Sequence, residues 1–313
     1  MHLLISRSLA PSTIRSYNAA FRGYLQFCKT HNLKALPIFE TNLMLFVTSI
    51  SHHSISNVKI HICAVKHFAT YYTGLCCSYY PRLYMLVRSI KRKTKKQPKR
   101  IPVTLPKLKT IYNHLSASSI ALHDKIMLWA AITTAFFGFL RSSEYVSTQT
   151  RRYDPASTLC FEDVTYKQPN ILIHIKSSKT DPFREGCTIC LSPSSADVCP
   201  VSNLLTYLNL HPTRSGPLFV YADKTLLTQR RLHTILKDAL PHENPVSNHS
   251  LRIGAATTAA SAGMPRWLIQ QLGRWVSDCF RSYIRIPQST FLQVSNTLAT
   301  THNEGAAFDP DLA

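Results

Sequence analysis

His249-Ser250-Leu251-Arg252 is the stretch from which the rest of the chain can be read, with Leu272-Gly273-Arg274-Trp275 downstream of it and Tyr283 beyond. Read as helix, His249 and Arg252 stand three positions apart and project from one face, roughly 60° apart around the axis. An imidazole beside a guanidinium makes a fork of donors suited to an oxyanion, and phosphate fits it best. Further on, Arg281-Ser282-Tyr283-Ile284-Arg285 sets a phenol between two cations. A phenol held near a bound phosphodiester is placed to act as a nucleophile.

Composition agrees with a phosphate partner. At 313 residues the chain has room for two domains and at least one full core. Hydrophobic content of 45% and charged content of 17% are those of an ordinary globular protein. Thirty-six Lys and Arg against sixteen Asp and Glu leave a formal charge of +20, which calls for a polyanionic partner. The cations are spread through both halves of the chain, so the reading is nucleic acid, with no membrane and no small-molecule substrate. No apolar run reaches the roughly eighteen residues of a membrane span, and no signal-peptide pattern opens the chain.

Nine cysteines, an odd number in a long chain, read as reduced thiols of an intracellular protein. Cys187-Thr188-Ile189-Cys190, with Cys199 and His211 beyond, has the spacing that could start a zinc site. It falls in an alternating, strand-like segment, where residues three apart point to opposite faces. The expectation is therefore buried thiols and no metal.

The first ninety residues read as helices only. Periodicity predicts one from Pro11 to about His31, through Ile14, Tyr17, Phe21, Tyr24 and Cys28. Others are expected over Glu40–Ser51, Ser56–Tyr72 and Pro81–Lys91. Lys91-Arg92-Lys93-Thr94-Lys95-Lys96 follows, and no packed core could absorb it, so 91–104 is expected to be a solvated basic linker. It also reads as a grip on phosphates and as a nuclear import signal.

The second half is mixed. Helices are expected over Pro106–Leu115 and Ile120–Phe137, the latter apolar nearly all round and hence central, with Gly138 to Glu144 closing it. Strands are expected over Thr158–Val164, Ile171–Ile175 and Cys187–Leu191, with a turn over Lys176–Gly186. Helices resume over Val201–Leu210, Leu226–Leu240, Ser247–Ala262, Pro265–Leu272 and Val276–Ile284. The tail, 300–313, is small, polar and acidic, and reads as loose.

Arg141 with Glu144 three residues on, a lysine in a β-turn at Lys179, His249-x-x-Arg252, a Leu-Gly dipeptide and then Tyr283 resemble, in this order, the catalytic signature of the tyrosine recombinases, the phage-integrase-like family. Gly273-Arg274-Trp275 and Tyr283-Ile284-Arg285 are most similar to the recombinases of eukaryotic mobile elements of the DIRS-like, Ngaro-like and Crypton kinds. The resemblance spans nearly the whole chain. It implies a mainly α fold with a small antiparallel β-sheet: a helical, SAM-like core-binding domain over 1–90, the linker 91–104, a mixed α+β catalytic domain over 105–299, and the tail 300–313. It also implies a clamp closing round double-stranded DNA, and a homotetramer on paired sites. Phe291, Leu292, Val294 and Leu298 would pack in trans there, or cover the chain's own core.

The same resemblance implies strand cleavage without a metal or any other cofactor. Arg141 and Arg252 would clamp the scissile phosphate, and losing one such donor typically costs roughly 100- to 1000-fold in rate. Tyr283 would attack phosphorus to give a 3′-phosphotyrosyl link. Lys179, or Lys176 in the same turn, would protonate the 5′-oxygen that leaves. His249 would bond the phosphate and help remove the phenol proton, and Glu144 would orient an arginine. The family generally has His or Trp nine residues before the tyrosine. Register here gives Arg274 and residue type gives Trp275. Lys66, Arg82, Arg88, Arg92, Lys93, Lys95 and Lys96 read as phosphate or groove contacts, and equally as a solvated basic face. The leading expectation is a nuclear, site-specific recombinase that integrates a mobile element. A silent or domesticated DNA-binding protein of the same fold, and a strand-nicking enzyme of the type IB topoisomerase kind, stand beside it.

Overall fold

Pro11 opens α1 (Pro11–Thr30), where a fixed φ helps and a missing N–H costs nothing. This helix begins the part of the chain that the computed structural model describes, which is residues 8–74, 79–95, 98–178, 181, 183–194 and 198–285. Then come α2 (Glu40–Ser49), α3 (Ile55–Thr73) and α4 (Pro81–Lys93). The Ser54 hydroxyl accepts from Asn57 N at 3.3 Å to start α3, and Gly74, at φ 69°, ends it. Glu40 accepts from Leu83 N (3.0 Å) and Arg82 Nε (3.1 Å), so one carboxylate ties α2 to the amino end of α4. Phe21, Tyr24, Phe46, Val58, Val65, Phe68 and Leu83 fill the core between these helices. Phe21 stacks on Phe68 with ring centroids 4.7 Å apart.

The chain divides into two compact units, residues 1–97 and 98–313. Of the basic stretch 91–104, Lys91, Arg92 and Lys93 form the last turn of α4. Ile101 N and Val103 N donate to Pro245 O (3.1 Å) and Ser250 O (2.9 Å), and Val103 is fully buried. The apolar side chains between the prolines draw that end of the stretch into the second unit.

That unit is built on two helices buried nearly all round. In α6 (Leu122–Phe137), Met127 to Phe136 are all buried; in α10 (His249–Ser261), Ser250 to Thr257 are. A helix with no polar face has to lie inside. Around this pair stand α5 (Leu105–Ala117), α7 (Ser142–Tyr145), α8 (Pro200–Leu210), α9 (Gln229–Ala239) and α11 (Arg266–Leu272). Gly254 is where α10 meets the 98–104 segment, because a Cβ there would lie 1.8 Å from Val103 O. A three-stranded antiparallel sheet, β1 (Val164–Lys167), β2 (Asn170–Ile175) and β3 (Cys187–Leu191), pairs Val164 with Ile173 and Ile171 with Leu191. The fold class is therefore mainly α with a small antiparallel sheet.

Three elements differ from expectation by more than two residues. The first strand begins at Val164, not Thr158, because Asp163 accepts from Cys160 N at 2.7 Å and winds Phe161–Asp163 into a 3₁₀ turn. α9 begins at Gln229, not Leu226. Leu227 is held extended between Phe219 O and Ser147 N, and the Thr228 hydroxyl caps Arg231 N at 3.2 Å. Val276–Ile284 holds only a 3₁₀ turn, Asp278–Ser282. Val276 is 85% exposed, and the inward pair Phe280 and Tyr283 has the spacing of three that a 3₁₀ turn eclipses.

In β3, Cys187, Ile189 and Leu191 turn inward while Cys190 is exposed, so the two cysteines face opposite ways. His211 bonds Pro217 O at 3.1 Å. Among the described residues no three His, Cys, Asp or Glu side chains gather as a metal site would need.

Candidate active site

The site begins where α6 ends. Phe139 takes φ 49°, in the left-handed region, and turns the chain off the helix so that Arg141 caps α7. Glu144 reaches back from α7: Oε2 accepts from Arg141 N (2.8 Å) and Oε1 from Arg141 Nη1 (2.9 Å). The same Nη1 donates to Ser178 Oγ at 2.6 Å, just past the end of β2.

Two more arginines converge on this turn. Arg252, on the first turn of α10, is fully buried; Nη1 donates to Phe139 O and Nη2 to Gly273 O. Arg274 donates to Gly138 O (3.2 Å), Phe139 O (3.3 Å) and Glu144 Oε2 (2.7 Å). Carbonyls at a helix C-terminus carry partial negative charge, and here guanidinium groups satisfy them.

Three guanidinium groups thus surround one carboxylate. Burial alone would push the Glu144 carboxyl up, but Arg274, then the backbone N–H and charge of Arg141, hold it below the ordinary carboxylate range. Arg252 shows the opposite imbalance. Its burial, and then the nearby charges of Arg141 and Arg274, pull it down to about 9, still charged at neutral pH. Among the described residues its Nε and that of Arg274 are buried without a hydrogen-bond partner. A cation array so short of negative charge gains from a bound anion.

Gly273-Arg274-Trp275 owes its form to a tight reversal. A Cβ on Gly273 would lie 1.7 Å from the Trp275 ring, so only glycine lets the indole fold back there. Arg274 sits at φ 53°, which sends its guanidinium to Glu144 while Trp275 packs inward. The Trp275 ring lies 4.3 Å from Arg252 Cζ and 4.9 Å from the Tyr283 ring. Tyr283 lies 5.8 Å from Arg252 Cζ and meets the His249 ring edge-on at 5.0 Å. Thr257 anchors this end of the chain, donating to Tyr283 O (3.3 Å) and accepting from Arg285 N (3.1 Å).

The structure therefore brings together His249, Arg252, Trp275 and Tyr283 by ring contacts, and Arg141, Arg252 and Arg274 through Glu144 and main-chain carbonyls. Both residues proposed for the position before the tyrosine are present, in different contacts. Lys176 is committed elsewhere: it pairs with Asp163 at 2.8 Å and donates to Pro155 O at 2.9 Å. Burial would lower its pKa, but Asp163 prevails and holds it above the ordinary lysine value. Lys179 lies outside the described residues, as do Lys96, Phe291, Leu292, Val294, Leu298 and the tail. Arg281 and Arg285 turn to local partners, Asp278 (3.2 Å) and the Ser282 carbonyl. No charge or spacing in the sequence marks Ser178 or Thr257. A cavity of about 680 Å³ opens beside the site, with Ser178, Arg274 and Trp275 in its wall.

In the first unit, residues 1–97 hold fourteen Lys and Arg against one acidic side chain, Glu40. Arg92, Lys93 and Lys95 are exposed. Arg82 is held by Glu40, Lys66 lies 4.8 Å from the Tyr80 ring, and Arg88 lies 5.7 Å from that of Tyr84.

No protein-family model and no curated protein matches the chain. Solved structures do. The chain is similar to the Tn1549 transposon integrase in complex with circular intermediate DNA, with a TM-score of 0.63 and 11% identity, covering 92% of this chain and 94% of that one. It is similar to a lambda integrase dimer bound to a core site, with a TM-score of 0.60 and 13% identity over 90% of this chain and 92% of that one. XerH, a site-specific recombinase bound to its difH substrate, gives a TM-score of 0.60 and 17% identity over 92% of this chain and 79% of that one. The fold is that of the tyrosine recombinases. This shared fold spans both units, and among the described residues no helix is long and apolar enough to cross a membrane.

Proposed function

We propose that this protein is a site-specific DNA recombinase that cuts and rejoins strands through a 3′-phosphotyrosyl intermediate. The observation that carries the reading is the packing of the Tyr283 ring against Arg252 and His249, beside a cation array with a single carboxylate among the described residues. Arg141, Arg252 and Arg274 would hold the scissile phosphate, with N–H groups not given to Glu144 or to carbonyls directed at its oxygens. Arg252 is fully buried, with the Trp275 and Tyr283 rings 4.3 and 5.8 Å from its Cζ, so a phosphate reaches it only if the groups around it shift.

Tyr283 Oη attacks phosphorus while His249 takes the phenol proton. The 5′-oxygen leaves with a proton from Lys179, since Lys176 is tied to Asp163. The phosphoryl bond is conserved in the intermediate, so another strand's 5′-hydroxyl reverses the step. The partner is double-stranded DNA, gripped also by the basic surface of residues 1–97, and paired sites call for a homotetramer. The Gly273-Arg274-Trp275 form supports a mobile-element integrase, and the basic stretch from Lys91 to Arg100 together with a DNA substrate supports work in the nucleus.

The test is covalent capture. Nicked suicide duplexes from the DNA flanking the gene, incubated in chelator, are expected to yield a denaturant-resistant protein–DNA adduct. Tyr283→Phe is expected to abolish it while DNA binding persists. An adduct that requires Mg²⁺, or that survives Tyr283→Phe, overturns the mechanism. Strand exchange between two copies of a defined site separates a recombinase from a relaxing enzyme.

A further inference from the structure

The geometry points to Ser178 as a positioning residue that fixes the Arg141 guanidinium for the scissile phosphate, an inference that rests on the recombinase reading. Arg141 Nη1 carries two N–H groups, and both are used: one on Glu144 Oε1 at 2.9 Å and one on Ser178 Oγ at 2.6 Å. The two acceptors come from different elements. Glu144 is on α7, three residues from Arg141 itself, whereas Ser178 is 37 residues away, beyond the end of β2.

A guanidinium held only by Glu144 could still pivot about that contact. A second acceptor on the same nitrogen removes the pivot, since the fork is planar and rigid. With Nη1 so fixed, Nε and Nη2 form the edge left for a ligand. The Arg141 side chain is 11% exposed, and Ser178 lines the wall of the adjoining cavity. The 2.6 Å contact is short even for a bond to a charged group, and such bonds are among the stronger ones. Ser178 acts through Arg141.

The test measures single-turnover formation of the Tyr283 adduct on a suicide duplex by the full chain. Ser178→Ala is expected to slow it by roughly tenfold, the scale of one hydrogen bond to a charged group. Ser178→Thr, which keeps the hydroxyl, is expected to stay near the wild-type rate. The deciding arm is a duplex with a methylphosphonate at the scissile position, which lacks the negative charge that Arg141 would neutralise. There, Ser178→Ala is expected to match wild type. A wild-type rate for Ser178→Ala on ordinary DNA overturns the assignment alone, as does a tenfold deficit that persists on the neutral duplex, which would mark a merely structural role. Absence of any adduct with the wild-type protein overturns the recombinase reading and this assignment together.

Discussion

Glu144→Ala is expected to cost the 98–313 unit about 3–5 kcal/mol, because removing one member of a buried ion pair strands its partner in a poor solvent. Here two partners are stranded. Arg141 and Arg274 both lose their only anionic contact among the described residues, and Arg252, already pulled down by their charges, loses the larger of the two influences, Glu144 and Tyr283, that oppose them. Adduct formation should fall at least roughly 100-fold, since the phosphate clamp loses its geometry along with its neutraliser. Chemical denaturation and single-turnover assays read the two effects separately.

The sign of the pH dependence follows from the lowered carboxyl. A carboxylate whose folded pKa lies below its unfolded one contributes stability that is fully present above the ordinary carboxylate range, near 4.3, and is lost as pH falls through the folded value. Wild-type unfolding free energy should therefore drop on acidification from about pH 7 to about pH 3 more steeply than that of Glu144→Gln. Equal slopes would mean that the carboxylate is not the counter-charge described here.

Gly254→Ala is expected to be the most disruptive single methyl in the second unit. The added carbon would meet main-chain atoms of Val103, at 1.8 Å from O and 2.5 Å from C, and no rotamer can relieve a backbone clash. Alanine improves helix propensity by about 1 kcal/mol. Overpacking costs about 1–3 kcal/mol when side chains can shift, and more when they cannot. The clash should prevail, with a net loss of about 2 kcal/mol or more. Hydrogen exchange offers the local check: the Val103 amide, now bonded to Ser250 O, should lose protection in the variant more than the amides of β2. A variant as stable as wild type, with Val103 still protected, would sink the argument.

The sequence announced what its side-chain types could encode. α6 was legible because ten successive buried positions from Met127 leave no polar face, and β2 because Ile171, Ile173 and Ile175 alternate. Within the site, Arg141, His249, Arg252 and Tyr283 stand out in the sequence as two guanidinium groups, an imidazole and a phenol in the order of a known signature. The 3₁₀ turns were not legible: one depends on Asp163 bonding the Cys160 amide, the other on an inward pair, Phe280 and Tyr283, only three residues apart. Ser178 and Thr257 were hidden because serine and threonine are common and their partners are remote in sequence. The choice between Arg274 and Trp275 could not be made from spacing, because a left-handed residue lets adjacent side chains reach separate parts of one site.

Of the acceptors that set Arg252 and Arg274 in place, those at positions 138, 139 and 273 are carbonyl oxygens. Every amino acid brings the same oxygen. The lattice that organises the two cations is thus written in backbone path, and substitutions at Phe139 leave it standing so long as the turn is kept. Divergence can then erase lettering while sparing architecture. A chain with 11–17% identity to integrases and recombinases of known structure shares their fold.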